Sequence, residues 1–264
     1  MPRFLLHRYI ARCAAGALPL LLCACVTETI GPHQPVKPDL KEAARINTQL
    51  GLAYAGQGRY EVAATKLKKA IEQDDSLAQA HAGLGYVYWQ QNDSEDAGNE
   101  YRRAISLDGE DPDIRNNYGV FLCSQGKYAD GDSNFMQVLK HRDYPTPAKA
   151  WTNAGICARQ AGDGARAESD LRKALQVDPN FAGALAEMAS FDYQKKNYLG
   201  ARAYLERYQK VAAPGANLLL LGFKTERALG NEDAAQQYSV KLIRNYPDSD
   251  EAAQLLKLRA PSPS

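Results

Sequence analysis

A surplus of charge of either sign is missing from this sequence: 32 Lys and Arg stand against 31 Asp and Glu, and no long basic run occurs. Neutralising a phosphate backbone takes a concentrated basic surface, so no nucleic-acid partner is expected. Histidine is scarce, with only His7, His33, His81 and His141. HExxH, GxxxxGK[ST] and GxSxG are all absent, which removes the zinc-protease, P-loop and nucleophile-elbow chemistries. No catalytic residue, metal site or cofactor is expected, and the chain reads as a non-enzyme. The cluster Glu187, Asp192 and Glu206 has no partner base and reads as a solvated face. Cysteine is unevenly spread: three of the five residues fall in the first 25 positions, a distribution unlike a disulfide scaffold. Cys123 and Cys157 read as buried structural thiols, with a disulfide or a nucleophile as alternatives. Long apolar runs are lacking too, because the longest candidate, Cys13 to Leu22, falls short of the roughly 20 residues a bilayer span requires.

What is present begins with that run. Arg3, Arg8 and Arg12 precede it and no acid occurs before Glu28, the arrangement of a secretory signal peptide. Directly after it, Leu22-Cys23-Ala24-Cys25 resembles a bacterial lipobox, with Leu three residues before the cut, a small residue beside it, and Cys25 as the thiol that takes the lipid. Cys23 fits less well, because Leu22 would then stand next to the cut. A signal peptide over 1–24 and a lipidated Cys25 are therefore expected. Val26 follows Cys25 in place of the Asp of an inner-membrane retention signal, so the expected location is the periplasmic face of the outer membrane. Pro32, Pro35 and Pro38 then punctuate a polar stretch that can build neither a helix nor a central strand. Residues 25–40 read as a tether, and about 14 residues of coil reach on the order of 20 Å.

From Asp39 onward the chain repeats itself. Small residues recur at Ala63, Ala97, Gly131, Ala167, Ala201 and Ala235, and a matching series runs Gly51, Gly85, Gly119, Gly155, Ala189 and Gly222. This period of about 34 residues, with small residues where paired helices cross, is the tetratricopeptide signature. Larger apolar residues fill the space between crossings, as Leu67, Tyr101, Phe135, Leu171 and Leu205 do four residues after the second-helix small position. The turns "GQGRY", "SQGKY" and "LGNED" place Gly or Asn where a helix must stop. The expected fold is all-α, a right-handed superhelical solenoid of six repeats over 41–259. Their approximate bounds are 44–77, 78–111, 112–147, 148–181, 182–215 and 216–248, with a capping helix at 249–259 and a disordered tail at 260–264. "HRDYPTPAKA" adds two residues before the fourth repeat and reads as a loop bulge.

Solenoids bind along the concave surface lined by first helices. The register directs Gln79, Ala82, Tyr86 and Trp89 there in repeat two, Asp113, Asn116, Val120 and Cys123 in repeat three, and Lys149, Thr152, Ile156 and Arg159 in repeat four. For Tyr86 and Trp89 the competing reading is packing between repeats. The clamp that tetratricopeptide co-chaperones use on a peptide C-terminal carboxylate finds Asn117 and Lys149 in two of its slots. Tyr86 and Asn153 stand where an Asn and an Arg are needed, so the cationic half is missing. Capture of a strand or helix in the groove is the expected mode.

Together with the lipobox and tether, "NNYGVFLCSQGKYADG", "DYPTPAKAWTNAGICARQAG" and "NLLLLGFKTERALGNEDAAQQYSVKLIRNYPDSDEA" resemble the PilF/PilW pilotin lipoproteins of type IV pilus biogenesis. The resemblance covers essentially the whole chain after Cys25. It implies a pilotin that binds the pilus secretin subunit, promotes its localisation and multimerisation in the outer membrane, and so supports pilus assembly and twitching motility. A monomeric chain is expected. The alternative is a lipid-anchored adaptor for peptidoglycan hydrolases or for outer-membrane protein assembly. Gly131 departs from the Ala usual in the family's second helices and is expected to loosen that helix pair slightly.

Overall fold

The computed structural model describes residues 39–259. The expected signal peptide, the expected lipidation site Cys25, nearly all of the expected tether and residues 260–264 lie outside them. The described residues are all-α, thirteen helices with no strand, and bear out the all-α repeat fold expected from the period. Six hairpins follow in order: α1 (Leu40–Gly56) with α2 (Tyr60–Gln73), α3 (Ala78–Gln90) with α4 (Ser94–Leu107), and α5 (Pro112–Ser124) with α6 (Tyr128–Val138). Then come α7 (Pro147–Gln160) with α8 (Gly164–Val177), α9 (Ala182–Gln194) with α10 (Tyr198–Val211), and α11 (Ala216–Ala228) with α12 (Glu232–Asn245). Helix α13 (Asp250–Arg259) closes the array. No described helix is long and apolar enough to cross a membrane.

Local chemistry sets these boundaries. Asp39, Asp93, Asp111, Asp163, Asn197 and Asn231 each accept a backbone N–H of the first turn of the helix they precede. Every hairpin turn contains one residue in the left-handed region: Gly58, Asn92, Gly126, Gly162, Lys196 and Gly230. Five of these are the Gly or Asn the turn chemistry calls for. Lys196 (φ +60°) holds the same conformation with a Cβ, which costs roughly 1–2 kcal/mol.

Packing follows the small-residue register. Ala63, Ala97, Ala167, Ala201 and Ala235 are fully buried at the helix crossings, and Leu67, Tyr101, Phe135, Leu171 and Leu205 fill the spaces beside them. First helices of successive repeats touch one another, α1 with α3, α3 with α5, and so on to α11, and thus form one inner row. Each second helix touches its own first helix and the next one.

The two ends of the stack differ. At the C-terminal end Ala252 and Leu255 of α13 are buried against Leu219, Leu220, Phe223 and Leu242, and Arg259 donates to Ser239 Oγ at 2.8 Å. At the N-terminal end Ile46 and Leu50 of α1 are 47% and 41% exposed. Their register equivalents on α3, Ala80 and Leu84, are buried against α2.

Three expectations are corrected from repeat three onward. Cys123 and Cys157 are not thiols but a disulfide joining α5 to α7, with Cα atoms 5.5 Å apart. Both sulfurs are buried, so the bond staples repeat three to repeat four and leaves no nucleophile. Gly131 does not loosen its helix pair: a Cβ there would stand 2.3 Å from Cys123 Sγ and 2.8 Å from the Gly119 carbonyl oxygen. Its missing side chain is what lets the staple fit. The added residues before repeat four bury Tyr144 against Val138 and Ala150, and its hydroxyl donates to Asp113 Oδ1 at 3.2 Å. Asp192 is buried rather than solvated, and burial raises its carboxyl above the usual range against the opposing bond from Asn197.

Candidate partner-binding groove

The inner row opens at repeats one to three into a cavity of about 420 Å³ walled by α1, α3 and α5. Leu52, Ala55, Ala82, Gly83 and Ile114 give it an apolar floor, while Gln79, Tyr86, Asn117, Asp111 and Asp113 supply the rim. The repeat register explains the apolar entry from α1, because Leu52 lies one period before Tyr86. Leu52 is 40% exposed and presents an apolar side chain to the cavity.

Of the residues proposed from the register, Gln79, Tyr86, Asp113 and Asn117 meet in this cavity. Tyr86 is half-buried, with its ring 6.4 Å from Tyr60 and 6.2 Å from Trp89, both edge-on. Burial raises the Tyr86 hydroxyl above its ordinary value, and the neighbouring Tyr60 adds to the shift. Trp89 belongs to the packing between repeats. Its ring stands 6.1 Å from Phe121, and Phe121 meets Tyr101 at 5.3 Å, so aromatic side chains link the first three repeats without a break.

The other residues from the register are distributed elsewhere. Asn116 is fully buried and accepts from Asn153 Nδ2 at 3.0 Å, a bridge from α5 to α7. Val120 packs beside the disulfide with Phe135 and Ala154. Thr152 is buried, and its hydroxyl donates to the Ala148 carbonyl at 2.7 Å. Arg159 donates to Glu187 Oε2 at 2.7 Å and ties α7 to α9. Lys149 is half-buried near the start of α7, outside the cavity. The groove thus lies earlier in the array than the register alone suggests. Leu52 was legible by carrying the register back one repeat; Asp111 was not, because it is a capping residue of the loop before α5.

Electrostatics around the groove are set by its loops. Asp111 Oδ1 accepts from the amides of Asp113 and Ile114 at 2.8 and 3.1 Å. Behind the groove His81 is buried, with Nδ1 2.6 Å from Glu100 Oε2 and Nε2 3.1 Å from the Asp75 carbonyl oxygen. Burial opposes the imidazolium, but the bonds to Glu100 and Asp75 outweigh it and raise the His81 pKa above its ordinary value. A second cavity of about 250 Å³, at the turns of α6, α7 and α8, reaches Cys157 and is crossed by the Arg166–Asp132 pair. Among the described residues no group of three His, Cys, Asp or Glu is placed to hold a metal ion.

The tetratricopeptide-repeat family model matches residues 48–113, 122–184 and 216–249. The type IV pilus assembly protein PilF of Pseudomonas aeruginosa is 33% identical over 230 residues, spanning 86% of this chain and 90% of the relative. The chain belongs to the PilF/PilW family. The solved structure of Pseudomonas aeruginosa PilF superposes with a TM-score of 0.69 at 31% identity, covering 84% of this chain and all of that one. The structure of PilW, described as a widely conserved type IV pilus biogenesis factor, gives 0.71 at 32% identity over 81% and 98%. This family member therefore shares its repeat scaffold with both along nearly their whole lengths.

Proposed function

We propose that this chain is a lipid-anchored pilotin of the type IV pilus, bound to the outer membrane through Cys25, which captures the secretin subunit and promotes its multimerisation. The observation that carries this reading is the near full-length similarity to a type IV pilus assembly protein. The groove gives it a physical means. An apolar floor with a polar rim, held between three packed helices, suits one segment of a partner protein. The lipobox and tether supply the address, so the groove works within reach of the membrane where the secretin must assemble.

Replacing Cys25 by Ser tests the anchor in cells. Heat-resistant secretin multimers in the outer membrane should fall sharply, with loss of twitching. Multimers at normal levels would refute delivery by the anchor. A pull-down on the mature protein that recovers peptidoglycan hydrolases and no secretin would point to the adaptor reading.

A further inference from the structure

The groove carries a negative charge. Its lining holds two carboxylates, Asp111 and Asp113, and no Lys, Arg or His. Asp108 stands in the same loop and lines the adjoining depression with Asp111. Nearby cations are engaged elsewhere: Arg45, which also lines the adjoining depression, pairs with Glu42, Arg103 pairs with Asp75, and both Arg115 and His141 lie within 4 Å of Glu110. Among the described residues no ion pair reaches Asp108, Asp111 or Asp113.

These acids are fixed without being neutralised. Asp108 Oδ1 accepts from the amides of Glu110 and Asp111 at 3.2 and 3.1 Å, Asp111 Oδ1 caps α5, and Asp113 Oδ1 accepts from the Tyr144 hydroxyl. Amide and hydroxyl donors orient the carboxylates and leave the negative charge standing beside an apolar floor of Leu52, Ala82 and Ile114.

We infer that the groove selects a partner segment that seats an apolar side chain on Leu52, Ala82 and Ile114 and sets a Lys or Arg side chain against Asp111 and Asp113. The inference rests on the groove being the partner site proposed above and adds the chemistry of its occupant. A segment with a free C-terminal carboxylate or an acidic side chain at that position is rejected by like charge. Arginine suits the site better than lysine, since its planar fork can meet two carboxylates at once.

The test uses the full chain and fluorescein-labelled, C-terminally amidated twelve-residue peptides. Each has one Leu and one Arg, the Arg placed one to four residues after the Leu, beside an isosteric set with citrulline for Arg. In fluorescence anisotropy at low salt, the best Arg peptide should bind roughly three- to tenfold more tightly than its citrulline twin, the range of two rim contacts. The gap should close at high salt and in the Asp111→Asn/Asp113→Asn variant, whose amides keep the α5 cap and the Tyr144 bond. Equal binding of Arg and citrulline peptides, no binding by either set, or an undiminished Arg preference in the variant would overturn the inference. Gln79→Trp, at an exposed position of the groove lining, fills the groove while leaving Asp111 and Asp113 unsubstituted and separates the two levels of argument in cells. If it abolishes secretin multimers while Asp111→Asn/Asp113→Asn leaves them, the groove stands and the charge selection falls. If it leaves the multimers at normal levels, the groove itself is not the partner site.

Discussion

Removing the Cys123–Cys157 bond is the perturbation whose size the structure fixes best. The cysteines are 34 residues apart, so the bond forbids the unfolded chain all conformations in which that loop is open. The chain-entropy relation gives about 4 kcal/mol for a loop of this length. Little of that should be recovered by relaxation, because the bond crosses from α5 to α7 and both sulfurs are buried. In a repeat array the loss is felt at one junction, since each repeat contacts only its neighbours. The double variant Cys123→Ala/Cys157→Ala should therefore do more than unfold earlier. Its transition should broaden or split, because repeats one to three and four to six lose the cross-link that couples them. Urea unfolding followed by far-UV circular dichroism reads this directly. With a slope of about 2 kcal/mol per molar, the midpoint should fall by about 2 M, and reductant should shift the parent protein likewise while leaving the variant unmoved. A parent midpoint that reductant moves by less than about 0.3 M would refute the staple as a source of stability.

Gly131→Ala should cost about 1–3 kcal/mol by overpacking, because the new Cβ falls 2.3 Å from Cys123 Sγ and 2.8 Å from the Gly119 carbonyl oxygen; in a Cys123→Ala background the sulfur's share of that cost should vanish and the carbonyl's share remain, which a double-mutant cycle in urea measures. Leu84→Ala, in the core, should lose about 2–5 kcal/mol, whereas Leu50→Ala, one period earlier but 41% exposed, should stay within about 0.5 kcal/mol; equal losses would mean that α1 is covered in solution. His81 has its pKa raised in the folded chain, so its contribution is fully present below its unfolded value near 6.5 and is lost as pH rises through the folded value. The stability difference between the parent and His81→Gln should accordingly shrink on going from pH 6 to alkaline solution, and a difference that grows with pH would sink the argument.

The repeat pattern was legible because helix crossings leave no choice. A small residue must stand wherever two backbones approach closely, and a period of about 34 residues keeps returning it to the same place. The turn residues were legible for a similar reason, except at Lys196, where the packed hairpin imposes a left-handed residue that its own preference disfavours. The groove was half legible. Register pointed to Tyr86, Gln79 and Asp113 correctly as inner-row residues, but it cannot tell which inner residues are reached by a neighbour's side chain. Asn116 and Arg159 were lost in that way to Asn153 and Glu187.

The repeat register does not favour the disulfide over buried thiols, because its cysteines occupy different register positions, which look unrelated in a single repeat. Cys123 is the equivalent of Trp89 and, across the two added residues, Cys157 is the equivalent of Phe121. In the preceding junction those two positions are already in contact, as the edge-on Trp89–Phe121 pair. The solenoid thus has one seat per junction where consecutive first helices meet, and different junctions strengthen that region by different chemistry. Aromatic contact serves between repeats two and three, and a covalent bond between three and four. Beyond these, the Arg159–Glu187 pair joins the first helices of repeats four and five, while repeats five and six are joined from a second helix, by Arg202 of α10 with Glu226 of α11. Ion pairs weaken with salt and disulfides with reductant, whereas aromatic contacts respond to neither. The junction of repeats two and three, beside the groove, is therefore held by a contact that neither salt nor reductant weakens.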